Sequence, residues 1–167
     1  MKRYINTALL YAILAMAGGV FYREFTRLND FTAKTTLSVV HTHYFMLGMV
    51  VFLLLLVLEK NLSFTDTSTG RVLVVYHIGL NLTVAMLVTR GVVQVLGTKL
   101  STGINAAISG MAGVGHILLG LGLVLLLLQV KRSISCHTEL MDICKHRTTK
   151  FRRPVSACRE TRFMHQA

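Results

Sequence analysis

Residues 38–58 read SVVHTHYFMLGMVVFLLLLVL, without a single Asp, Glu, Lys or Arg. A helix needs about 20 predominantly apolar residues to cross a bilayer, and the run 37–58 supplies 22. Near its start stand His41 and His43. An imidazole inside hydrocarbon is costly, so an intramembrane histidine ordinarily faces a cavity, a partner or a cofactor. At ~100° per residue, positions i and i+2 of a regular helix point about 200° apart. The two rings therefore do not grip one ion together; they serve two different neighbours, one on each face.

Working outward, three further apolar blocks of spanning length occupy residues 4–22, 72–96 and 104–130. The whole chain of 167 residues is 53% hydrophobic with a mean hydropathy of +0.57, too apolar for an ordinary soluble domain. In lipid, backbone polar groups must be satisfied within the segment, which selects helices over open strands. The expected architecture is an all-α integral membrane four-helix bundle over residues 1–130. Residues 131–167 follow as a basic cytoplasmic tail expected to be disordered.

Basic residues set the orientation. Lys2, Arg3, Lys60, Arg71 and nine Lys or Arg of the tail fall on one side, 13 in all, against Arg23, Arg27, Lys34 and Lys99 on the other. The positive-inside rule then predicts a multi-pass protein of the cell membrane with both termini cytoplasmic. Lys2 and Arg3 before an apolar run containing Ala15-Met16-Ala17 also fit a cleavable leader. The length of the run, and the stripe Ala8, Ala12, Ala15 and Gly19 suited to close helix packing, favour a retained first span.

The net charge of +11 is concentrated in the tail. A basic segment beside a membrane is attracted to anionic lipid, and no nucleic-acid partner is implied. All three cysteines, Cys136, Cys144 and Cys158, lie there with His137, His146 and His165. Their spacing fits none of the usual zinc patterns, and a cytoplasmic setting keeps thiols reduced.

Four histidines fall inside spans: His41, His43, His77 and His116. At ~1.5 Å per residue, His43 lies ~9 Å and His116 ~12 Å from the same face, with Arg90 at ~10 Å, while His77 lies toward the opposite face. His116 stands in ISGMAGVGHILLGLG, with Ala112 and Gly120 one turn away on its face. Small flanking residues leave room for a flat porphyrin or for a close helix. Facing helices of a bundle hold a b-type haem through two histidines. His43 and His116 are therefore the expected axial iron ligands. His41 is a second ligand or hydrogen-bonding neighbour on the other face. Arg90 is the cation for a propionate, or else snorkels to the interface or pairs with Glu24 or Asp30. His77, with Asn81 a turn later, reads as a helix–helix hydrogen bond. The span methionines scatter over several faces and read as packing.

Two resemblances add to this. YINTALLYAILAMAGGVFYREFTRLNDF and AKTTLSVVHTHYFMLGMVVFLLLLVLEK resemble a family of short bacterial membrane proteins, the domain-of-unknown-function family 2871. That resemblance covers roughly residues 1–130; it implies four membrane helices and no established activity. VVHTHYFMLGMVVF is similar to the His-x-His helix of haem-copper oxidase catalytic subunits. There one histidine ligates the high-spin haem and the other the low-spin haem; by position, His41 matches the first and His43 the second. The chain is too short for the twelve oxidase helices and has no three-histidine copper site, so the resemblance implies haem binding without oxygen reduction.

No phosphate-binding glycine loop, nucleophile elbow or His-Glu-x-x-His motif is present, and no independent catalytic activity is expected. The spans hold no Asp or Glu, unlike the acid-lined paths of many proton and cation translocators. The sequence thus predicts a small membrane protein binding haem b for electron transfer or for sensing a gas or redox state. Its expected partners are the lipid bilayer and a second copy or a redox protein. The competing reading is a non-enzymatic transport or scaffold protein whose histidines bind a transition metal or only join helices.

Overall fold

A computed structural model describes residues 2–150 of the chain. The described residues form four long helices and no strand. Helix α1 is Lys2–Leu28, α2 is Thr36–Leu62 and α3 is Thr67–Val95. Helix α4 runs Thr102–Lys150, of which Thr102–Ser135 is apolar enough to span. All four are long and apolar enough to cross a membrane. The predicted spans 4–22, 37–58 and 104–130 lie inside these helices, and 72–96 runs one residue past the end of α3 at Val95. The fourth helix continues past residue 130, through Lys150; the remainder of the tail, 151–167, lies outside the described residues, as do the side chains of Cys136, His137, Cys144 and His146.

Each helix end has a local cause. Ser63, in left-handed conformation (φ 48°), closes α2 with its N–H on the Glu59 carbonyl. Three residues later Asp66 opens α3. Its carboxylate accepts from the Thr69 N–H at 2.7 Å while Thr69 Oγ1 accepts from the Asp66 N–H, a reciprocal capping box. At the opposite end Gly97 (φ 62°) stops α3.

The core is a stack of aromatic and small residues between helices. On α1, Tyr4, Ala8, Tyr11 and Ala15 form a buried stripe at helical spacing facing α2. Helices α3 and α4 pack against each other along their length. Their contact depends on missing β-carbons. A methyl at Gly79 would run into the Leu119 backbone, one at Gly115 would stand 2.7 Å from Thr83 Oγ1, and one at Gly122 would stand 3.0 Å from Tyr76 Cα. Small residues that let backbones approach are the usual currency of helix association in lipid.

Helix α2 is irregular. It opens with a 3-10 turn, Thr36–Val39, continues as one α turn, Val40–His43, and widens into a π segment, Tyr44–Val50, before resuming as an α-helix. The π segment fits its neighbours. Gly48 is buried against the Tyr11 ring, where a β-carbon would stand 2.6 Å from Tyr11 Cγ. The Leu47 carbonyl accepts from the buried Tyr76 hydroxyl at 2.6 Å. Wide π turns disturb the regular bonding ladder, and a hydroxyl from α3 here takes up a carbonyl within one.

Candidate functional site

The start of α2 is fixed to α3 by hydrogen bonds. The Gln94 side-chain oxygen accepts from Thr35 Oγ1 at 3.1 Å, the Thr36 N–H at 2.9 Å and Thr36 Oγ1 at 3.3 Å. Thr36 Oγ1 also donates to the Leu87 carbonyl at 2.9 Å. Leu37 is seated on Gly91, where a β-carbon would stand 2.5 Å from Leu37 Cγ. This clamp sets the rotation of the next turn, which carries both histidines.

His41 and His43 face different helices. His41 lies on α1, its Cβ 3.7 Å from where a β-carbon of Gly19 would stand, and its Nδ1 is buried with no hydrogen-bond partner. His43 turns to α4, where its ring meets that of His116. The centroids are 6.2 Å apart and the planes stand at 89°. Each ring is oriented by its own helix: His43 Nδ1–H donates to the Val39 carbonyl and His116 Nδ1–H to the Ala112 carbonyl, both at 2.8 Å. Both protons thus sit on Nδ1, which leaves each Nε2 with its lone pair and no protein partner among the described residues. Imidazoles that bind metals through Nε2 ordinarily donate the Nδ1–H to a carbonyl or carboxylate in this way. A metal–nitrogen bond of about 2 Å, extended through each ring to its centre, gives two trans-bound imidazoles centroids about 6 Å apart.

Space at the pair is available on the α4 side. His116 is exposed, and positions Gly113 and Gly120, three before and four after it, have no protein atom within 4 Å of where a β-carbon would stand. The glycines of this helix divide in two sets: Gly115 and Gly122 press on α3, while Gly103, Gly110, Gly113 and Gly120 front open space.

His77 belongs to a separate cluster. Its Nδ1 lies 2.6 Å from the Tyr11 hydroxyl, which accepts from Asn81 Nδ2 at 3.2 Å; the Tyr44 hydroxyl donates to Asn81 Oδ1 at 3.1 Å. The Tyr11 oxygen receives the Asn81 amide as well as meeting His77 Nδ1, so that nitrogen is engaged with a side chain of another helix, where His43 Nδ1 bonds to its own helix. Its ring also stacks on Phe52 at 4.9 Å. This is a helix–helix link among α1, α2 and α3. Asn81 joins it through Tyr11 and Tyr44, two tyrosines that the sequence reading left out. The signal for Tyr11 is present in the helical spacing of Tyr4, Ala8, Tyr11 and Ala15.

Arg90 reaches across to α4, where its guanidinium donates to Asn105 Oδ1 at 3.0 Å and Ser109 Oγ at 2.7 Å. It pairs with neither Glu24 nor Asp30; the ion pair found among the described residues is Arg23 with Glu24 on the exposed end of α1. No cluster of three or more His, Cys, Asp or Glu side chains able to hold a metal occurs among the described residues. The histidine pair therefore offers two imidazole nitrogens and no third protein ligand among the described residues.

No curated protein and no solved structure matches the chain. A family model does, over residues 1–133, which is most of the chain and takes in α1, α2, α3 and α4 as far as residue 133. The chain belongs to the family described as Protein of unknown function (DUF2871).

Proposed function

We propose that this four-span membrane protein holds one haem b between α2 and α4, with His43 and His116 as axial ligands, and serves in electron transfer or in sensing a gas or redox state. The observation that carries the reading is the joint geometry of the pair: 6.2 Å between ring centres, with each Nδ1–H committed to a carbonyl one turn back. A haem would supply a one-electron couple; the chain's part is to hold the imidazoles in the ligating tautomer and tune the potential through those bonds. Gly113 and Gly120 leave an open strip beside His116 for a flat group. Purification from haem-supplied cells tests it: the reading expects about one haem per chain, and a preparation with none ends it.

A second reading is favoured by the same contact. Two rings set edge to face at 6.2 Å and 89° already form a favourable aromatic pair, so the histidines join two helices with no cofactor. Metal analysis of the purified protein separates the two.

The basic asymmetry of 13 to 4 supports a cell-membrane protein with both termini in the cytoplasm. Cysteine labelling at positions 32 and 67 tests the orientation: outside reagent should reach Thr32→Cys and spare Thr67→Cys.

A further inference from the structure

Where α3 ends and α4 begins, a cavity of about 170 Å³ is lined by Arg90, Val93, Gln94, Leu100, Asn105 and Ile108. Its three polar side chains share one property. The Asn105 oxygen is occupied by Arg90. The Gln94 oxygen is occupied by Thr35 and Thr36. Among the described residues, the amide nitrogens of Asn105 and Gln94 have no protein acceptor. Arg90 has only donors, and its two partners are neutral. The polar wall of the cavity therefore presents N–H donors and a positive charge, with its acceptors already satisfied. An unneutralised guanidinium inside a span is costly, and an oxyanion with several acceptor oxygens is the ligand that completes it.

We propose that this cavity seats the phosphate of an anionic phospholipid from the leaflet at that end. Three observations favour a lipid over a haem propionate. Gln94 and Leu100 extend the cavity from Arg90 away from His116 and toward the loop 96–101, at headgroup level. Ser109 and Asn105 precede His116 by 7 and 11 residues, which places the guanidinium ~10 to 16 Å up α4 from the histidine pair. The apolar lining of Val93, Leu100 and Ile108 suits the glycerol and upper acyl carbons. Exposed Lys99, next to Leu100, adds a second positive charge and selects a headgroup without an ammonium.

The test is native mass spectrometry of the full chain in detergent, titrated with phosphatidylglycerol, phosphatidylcholine or inorganic phosphate. Phosphatidylglycerol should bind in preference to phosphatidylcholine and resist competition by inorganic phosphate. Arg90→Gln should weaken it about tenfold or more, the usual cost of a lost charged hydrogen bond. Asn105→Ala, which removes one donor and keeps the charge, should weaken it less, and Arg23→Gln should have no effect. Helical content by circular dichroism checks that each variant is folded. Equal binding by Arg90→Gln, or displacement by inorganic phosphate, overturns the proposal. So does an Arg90→Gln protein that keeps its lipid and loses haem, which would assign Arg90 to a propionate.

Discussion

The imidazole rings of His43 and His116, 73 residues apart in the chain, stand 6.2 Å centre to centre at 89°, and each donates its Nδ1 proton to the carbonyl four residues earlier. Both rings thus keep the same nitrogen, Nε2, free of their own helix. His77, bonded to Tyr11 through its Nδ1, does not share this arrangement. That difference separates a candidate ligand pair from a packing histidine within one small bundle.

The 89° angle has a spectroscopic consequence if iron binds. Perpendicular imidazole planes leave the two iron orbitals that interact with them nearly equal in energy. Electron paramagnetic resonance of the oxidised protein should then show a single low-spin feature at unusually large g. A well-resolved three-line rhombic spectrum would mean near-parallel rings.

Glycines of α4 and α3 divide by face. Gly79→Ala places a methyl in the Leu119 backbone, whereas Gly113→Ala meets nothing. Overpacking of this kind costs about 1–3 kcal/mol. Thermal unfolding in detergent should show a marked loss for Gly79→Ala and almost none for Gly113→Ala.

The Tyr11–His77 bond joins α1 to α3. Tyr11→Phe and His77→Ala should each destabilise the protein by about 1 kcal/mol, as intramembrane polar links do. Because both remove one bond, the double variant should cost less than the sum of the singles. Strict additivity in a double-mutant cycle would show that the 2.6 Å contact contributes nothing.

Asp66 gives the loop end a pH dependence. The Thr69 N–H, first, and the Thr69 hydroxyl hold its carboxyl below the ordinary carboxylate range. A depressed folded value means the cap stabilises fully above about pH 4 and is lost as pH falls through the lower, folded value. Asp66 is exposed, so the effect stays at or below about 1 kcal/mol, a typical cap. Unfolding followed from pH 7 to pH 2 should show this component in the native protein and lose it in Asp66→Asn, which still accepts the Thr69 N–H.

Much of the fold is legible in the sequence because membrane spans are set by length and apolarity, which are local properties. Helical rise alone predicts the meeting of His43 with His116; it also sets Arg90 at their level, whereas its guanidinium reaches Asn105 and Ser109, 11 and 7 residues before His116 on α4. The π segment at Tyr44–Val50 is not legible: it depends on Tyr11 meeting Gly48 and on Tyr76 reaching the Leu47 carbonyl, contacts from two other helices. The tautomer of the histidine pair is hidden for another reason. Every helical residue has a carbonyl four positions back, and only the rotamer decides whether a ring uses it. The partners of Arg90 were missed because Asn105 and Ser109 come from the fourth helix, whose rotation about its axis is fixed by Gly79, Gly115 and Gly122 against α3.

The most direct measurement is the reduced-minus-oxidised visible spectrum of protein purified from haem-supplied cells, recorded for the native chain, His43→Ala, His116→Ala and His77→Ala. Ligation between His43 and His116 predicts a sharp low-spin α-band and Soret shift in the native protein and in His77→Ala. Both features should be lost or converted to high spin in His43→Ala and His116→Ala. A native spectrum without these bands, or one that survives loss of His43 and His116 and vanishes only with His77 or His41, would contradict the account.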